Sequence, residues 1–291
     1  MFEQTREKIL RRLSNTVMQL VRSEYTVLPR FGFHQPLDYG MDTFPPDFDA
    51  PVKLASDPLP LPPPKERMGY SADNEEYLRW GKYDHDLVLS HIKKYYGERE
   101  GVAILDFGCS SGRVLRHFYP QHREQGWHLF GVDIQARPVE WMRQNFPNEF
   151  CVYTGTVLPK LPFADNSLDV IYGISVFTHI KYLWDMWLLE LKRVLKPGGL
   201  LIQTFHSENA WDFYYKNRNE AWVKNGHSPY MLSKPSMPHP FFHYGDISVS
   251  QAFWTQETAR SYWGRYLKVL EITPPPEKYS FQDWIVCAKP E

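Results

Sequence analysis

The chain has 291 residues, 43% apolar and 16% aromatic, enough to bury a substantial core as one large domain or a domain with additions, which excludes disorder throughout. Basic residues number 33 and acidic ones 34, a formal net charge of -1, so the overall balance draws the chain to neither a phosphate backbone nor acidic lipid. Cys109, Cys151 and Cys287 form no C-x-x-C pair and are too few for a disulfide scaffold, which makes a reducing, cytoplasmic compartment the expectation.

From the start, residues 2 to 23 read as an amphipathic helix, with Phe2, Ile9, Leu13, Val17 and Leu20 at helical spacing among basic residues. The opening "MFEQTREKILRRLSN" lacks the apolar block of a secretory signal, and no apolar run reaches the roughly 18 to 20 residues of a membrane span, so a soluble protein is expected. From Pro29 to Met68 periodicity is lost and the segment ends in "DPLPLPPPKER", an extended, stiff connector. Residues 1–68 are therefore set apart from a main domain at 69–291.

"DHDLVLSHIKKYYG" predicts a helix capped by Asp84. Strand and helix signals then alternate: "VAILDF", "GRVLRHFY", "WHLFGVD", "RPVEWMRQNF", "EFCVY", "LDVIYGI", "YLWDMWLLELKRVL" and "KPGGLLIQTF". Continuous apolar strands separated by helices imply a parallel sheet covered on both faces, hence a doubly wound α/β fold. The closing "YLKVLEI" and "FQDWIVCAK" are strands joined by a short proline-rich loop, which permits antiparallel pairing and not a parallel crossover.

In such a sheet the turn after the first strand is the usual anion or ribose site. Here it is Gly108-Cys109-Ser110-Ser111-Gly112, with Asp106 ending the first strand and Asp133 the second. Gly108 and Gly112 let backbone approach a ligand, and two carboxylates flanking a glycine turn suit a cationic nucleoside. The same residues fit G-x-S-x-G, the elbow of a hydrolase with Ser110 as nucleophile. That reading asks for a histidine late in the chain, and none follows the last strand; with His206 or His243 in that place, Asp106 and Asp133 would have no task. A nicotinamide fingerprint would require glycine at Ser110 and a third glycine one residue beyond Gly112.

"ILDFGCSSGR", "GVDI", "LPFADNSLDVIYGISVFTHI" and "ELKRVLKPGGLLIQT", in that order, resemble the successive motifs of class I S-adenosylmethionine-dependent methyltransferases, from about Tyr77 to Lys289. The closing hairpin is similar to that of bacterial members linked to glycan or natural-product assembly. The resemblance implies a Rossmann-like, seven-stranded sheet with its final strand antiparallel, and S-adenosyl-L-methionine as cofactor. It implies that Gly108, Cys109, Ser110 and Gly112 line the methionine and ribose part, with Asp106 near the ammonium or a water. Asp133 would hold the ribose hydroxyls and Ile134 would lie against adenine. Thr156 and Val157 stand where many members carry an acidic residue for the adenine amino group. Ile174, Ser175 and Phe177 would flank the sulfonium, and Tyr77 and Gly81 would belong to the segment closing over the methionine end.

Methyl transfer to a hydroxyl needs a base within reach; His179 is the first choice and His206 the second. The insert 207–254, dense in aromatics from Trp211 to Tyr244, is expected to be a lid over the acceptor pocket or else a homodimer face. His227, His239 and His243 lack a nearby Cys or acidic pair, so no metal is expected. The acceptor expected is a small molecule or glycan, methylated on O or N, and not a nucleic acid. A methyltransferase-like binding module without turnover is the alternative.

Overall fold

The computed structural model describes residues 48–54, 57–245, 250–275 and 281–291. The helix expected at 2–23 lies outside them. In chain order the elements are α1 (Asn74–Tyr95), β1 (Ala103–Phe107), α2 (Tyr119–Gln125), β2 (His128–Asp133), α3 (Ala136–Asn145), β3 (Phe150–Thr154), β4 (Leu168–Gly173), α4 (Trp184–Val194), β5 (Leu195–Phe205), α5 (Glu208–Lys216), α6 (Ala221–Gly226), α7 (Pro229–Leu232), β6 (Phe241–Tyr244), β7 (Gln251–Trp254), α8 (Gln256–Trp263), β8 (Lys268–Thr273) and β9 (Asp283–Ala288).

Seven strands form one sheet in the order β3-β2-β1-β4-β5-β9-β8, with β9 antiparallel to both its neighbours. This is the topology expected from the sequence. Side chains alternate across it: Ile104, Val170, Tyr172, Leu200, Ile202 and Val286 join the core beneath α1 and α3. Leu105, Ile171, Leu201, Phe205, Ile285 and Cys287 join the core beneath α4 and α8. With both faces covered, the central strands β1 and β4 are buried throughout and apolar at nearly every position, Asp106 and Asp169 excepted.

Helix α1 begins ten residues before the expected cap. Asp73 is the N-cap, its carboxylate accepting from Glu76 N at 2.8 Å. Asp84 instead lies inside the helix and pairs with Arg113 at 2.7 Å. The proline-rich stretch is no free connector over its described part. The Arg67 guanidinium, fully buried, donates to the carbonyls of Pro62, Ser71, Ala72 and Asp73 and to Asn74 Oδ1. Arg116 holds Asp57 at 2.9 Å and the Leu59 and Pro60 carbonyls. Glu66, buried, pairs with Arg137 of α3 at 2.9 Å. Residues 57–70 are thus strapped across α3 and the turn after β1.

The insert carries α5 to α7 and a β6–β7 hairpin that pairs Phe241 with Trp254 and Tyr244 with Gln251. Its aromatics face one another: Trp211, Tyr214, Val223, Met231 and Phe253 form a third core. Among the described residues no helix is long and apolar enough to cross a membrane, and no group of three or more His, Cys, Asp or Glu is placed to hold a metal ion.

Candidate functional site

A cavity of about 440 Å³ opens at the carboxyl ends of β1, β2 and β4. Gly108, Ser110, Asp133, Ile134, Thr156, Val157, Ile174 and Ser175 line it, eight of the residues expected at a cofactor, and so does His179. The turn after β1 is fixed to β2 by hydrogen bonds from Gly108 N and Cys109 N to the Val132 carbonyl. Gly108 has φ +90°, and an added Cβ would meet Val176 Cγ2 at 2.3 Å, so both backbone and space demand glycine. Ser110 is left-handed as well, at φ +47°.

Asp133 is held from two sides. Its Oδ2 accepts from Ser110 N and its Oδ1 from Gln135 N, each at 2.8 Å. Burial pushes its carboxyl above the ordinary range, against the backbone N–H groups that favour the charged form. Each oxygen keeps a lone pair for a further donor. The Ser110 hydroxyl is buried and has no hydrogen-bond partner among the described residues, so no histidine activates it as a nucleophile. An unpartnered hydroxyl beside a buried carboxylate, in a slot walled by Val132, Ile134, Val157 and Leu161, fits a ribose with a flat apolar ring attached. The Thr156 hydroxyl is engaged with Leu158 of its own turn at 3.2 Å.

His179 opens onto the cavity and is exposed, with only its Nδ1 side tied down. Its Nδ1 donates to the Ser250 carbonyl at 2.5 Å and Ser250 Oγ donates to the His179 carbonyl at 2.6 Å. With Nδ1–H committed to a carbonyl, Nε2 carries the lone pair of the neutral ring. Burial draws its pKa below the usual imidazole value, and the bond to Ser250 opposes the shift.

The remaining expected residues are not brought to the cavity wall. Tyr77 is fully buried, its hydroxyl 3.2 Å from Ser111 Oγ. Gly81 lets α1 lie against the turn, where a Cβ would meet the Arg113 carbonyl at 2.2 Å. Gly112 serves packing in the same way, with Met142 Cε 2.7 Å from an added Cβ. Cys109 points at Gly131, and Phe177 packs on Trp263 with ring centroids 4.5 Å apart. Asp106 lies beneath the turn, where burial pushes its carboxyl up to about 7; Tyr172 and Arg113 partly oppose this. His206 sits in the insert core, stacked on Phe253 at 4.9 Å with Nε2 3.3 Å from the Tyr214 hydroxyl. Burial holds its pKa well below the usual value.

Sequence reasoning missed Met68, Tyr70, Lys181, Tyr182, Trp187 and Ser250, all in the wall. Met68 is left-handed at φ +52° and Tyr70 lies under the Arg113 guanidinium at 4.0 Å, so the strap itself closes one side. Of the insert's described residues only Ser250 lines the cavity.

Residues 105–203 match the family described as Methyltransferase domain. The sterol 4-C-methyltransferase strm-1 of Caenorhabditis elegans is 30% identical over 152 residues, 50% of this chain and 43% of the relative. The tRNA N(3)-methylcytidine methyltransferase trm140 of Schizosaccharomyces pombe is 26% identical over 132 residues, 43% of this chain and 42% of the relative. The chain spans less than half the length of either. A chain from the complex between the Haloferax volcanii Trm112 methyltransferase activator and a protein assigned as a methyltransferase shares the fold. The TM-score is 0.52 at 19% identity, over 78% of this chain and 98% of that one. Sequence match and strand order agree: residues 105–203 carry a methyltransferase domain, in a fold whose family members use S-adenosylmethionine as cofactor.

Proposed function

We propose that this protein transfers a methyl group from S-adenosylmethionine to a hydroxyl of a small, largely apolar acceptor, releasing S-adenosylhomocysteine, with His179 taking the acceptor's proton. The observation that carries this is one cavity with a polar, ribose-matched end at Ser110 and Asp133 and a lone imidazole nitrogen at His179. When bound, the cofactor supplies an electrophilic methyl on a sulfonium. Asp133 and Ser110 then bind its ribose, and Ile134 and Val157 flank the ring. Transfer is an in-line displacement, so the task of the walls is to align the acceptor and exclude water. Met68, Ile174, Ile180 and Trp187 give that end an apolar surface. His179 Nε2 accepts the proton of an attacking hydroxyl, and a pKa held below the usual imidazole value suits it by keeping the ring neutral.

The insert acts on this reading as the support of His179 through Ser250, since its aromatics are spent on its own core. Family membership leaves the acceptor class open, because the relatives named above act on a sterol and on tRNA. The apolar wall and the net charge of -1 favour a small molecule over a nucleic acid. Incubation with S-adenosylmethionine and a panel of phenols, sterols, fatty acids, glycans and bulk tRNA, read as S-adenosylhomocysteine formed, tests this. Turnover on an apolar hydroxyl compound is expected; turnover on tRNA alone refutes the acceptor class, and cofactor binding without any turnover favours the binding-module alternative.

A further inference from the structure

Ser175 lines the cavity just after β4 in a conformation a serine rarely adopts, φ +61°. Left-handed backbone outside glycine is strained and persists only where its surroundings fix it. Here every polar atom of the residue is tied. Its N–H donates to Thr204 Oγ1 at 2.7 Å, and its carbonyl accepts from Thr178 Oγ1 at 2.8 Å. Its hydroxyl meets both ends of the Gln282 amide: Nε2 donates to Oγ at 2.8 Å, and Oε1 accepts from it at 3.1 Å. Thr204 Oγ1 closes the ring by donating to Gln282 Oε1 at 2.6 Å. Gln282 is 9% exposed and Thr204 1%, so water competes little for these bonds.

Gln282 is in turn held by its neighbours in sequence. Phe281 packs on Tyr214 at 4.9 Å and on Phe213 at 5.3 Å, inside the insert. Asp283, fully buried, accepts from Asn209 Nδ2 at 3.0 Å and from Gln256 Nε2, one residue near each end of the insert. The tripeptide that leads into β9 thereby joins the insert to the cavity loop.

We infer that Gln282 is a positioning residue for methyl transfer: through the Ser175 hydroxyl it fixes the loop after β4 at the reacting end of the cavity, and the insert holds it there through Phe281 and Asp283. This rests on the methyltransferase reading. An amide suits the task because it donates and accepts at once without charge; a carboxylate at 282 keeps the bond from Thr204 but loses the donor to Ser175.

The test uses the full chain with S-adenosylmethionine carrying a 13C-labelled methyl. Calorimetry gives affinity, and the 13C methyl resonance of the bound cofactor reports the surroundings of the sulfonium. Gln282→Ala is expected to displace or broaden that resonance while affinity falls about three-fold or less, since small misplacements are felt most at the reacting atoms. Ser175→Gly removes the same hydroxyl and relieves the backbone strain, so it provides a folded variant in any case. It should displace the resonance likewise, and the double variant should add nothing further. Resonances unchanged in both single variants, or additive in the double, overturn the proposal. A wild-type protein that does not bind the cofactor overturns the methyltransferase reading first and this inference with it.

Discussion

The backbone N–H of Ser110 donates to Asp133 Oδ2 at 2.8 Å, joining two turns 23 residues apart in sequence. The bond places the carboxylate that ends β2 against the left-handed corner after β1, so cavity floor and cavity acid are one structure. Ser110 is therefore coupled to the cavity's acid, and a residue that shifts the corner shifts Asp133.

Gly108→Ala tests that corner. Its φ of +90° is strained for alanine by about 1–2 kcal/mol, and the new Cβ stands 2.3 Å from Val176 Cγ2. Thermal unfolding should show destabilisation, and cofactor affinity should fall at least ten-fold, on the order of 1.4 kcal/mol. Adding Val176→Ala removes the clash and should recover part of both losses.

Proton transfer at His179 has a separate signature. His179→Ala should lower turnover by about 10²–10⁴ and leave cofactor affinity nearly unchanged, because Asp133 and Ser110 hold the ribose. In the wild type the acid limb of the rate profile should lie below the ordinary imidazole pKa of about 6.5, the direction burial gives it. Full activity of the variant removes His179 from the reaction.

Asp106 makes a stability prediction with a definite sign. Its carboxyl titrates at about 7 in the fold and at about 3.9 when unfolded. Between those values the folded state binds the extra proton, so wild-type stability falls as pH rises, by up to about 4 kcal/mol, and is flat above. Asp106→Asn lacks this dependence. Its melting temperature relative to wild type should climb from pH 4 to pH 7; a difference independent of pH contradicts the account.

His206→Phe separates the two histidines. The ring lies among Phe253, Tyr214 and Phe281, and its Nδ1 has no partner among the described residues. An apolar ring of similar shape keeps that packing, so cofactor affinity and turnover should stay within about two-fold, less than 0.5 kcal/mol. Loss of turnover with retained stability would return His206 to the mechanism.

The strands themselves were legible because a sheet buried on both faces writes itself as largely apolar runs, "AILDF" and "LDVIYG" among them, and the seven-stranded topology followed from the family resemblance. The carboxylate at Asp133 and the corner at Ser110 were legible because the glycine turn fixes their spacing. Motif position does not say which way a side chain faces, so Tyr77, Gly112 and Phe177 were expected at the cavity and lie in the core instead. Met68 and Tyr70 gave no signal, because a proline-rich strap has no periodicity and is anchored by arginines distant in sequence, Arg113 and Arg116. The hairpin of Phe241–Tyr244 with Gln251–Trp254 was hidden by strands of four residues. The aromatics of the insert read as a surface for an acceptor, whereas most bury one another.

The central claim is that Asp133 and the glycine corner bind S-adenosylmethionine, and calorimetric titration of wild type and Asp133→Ala tests it most directly. The account predicts stoichiometric binding by the wild type and a loss of about 1.5–3 kcal/mol in the variant, the worth of hydrogen bonds to a charged group. Absence of binding by the wild type, or equal affinity in both proteins, would contradict it.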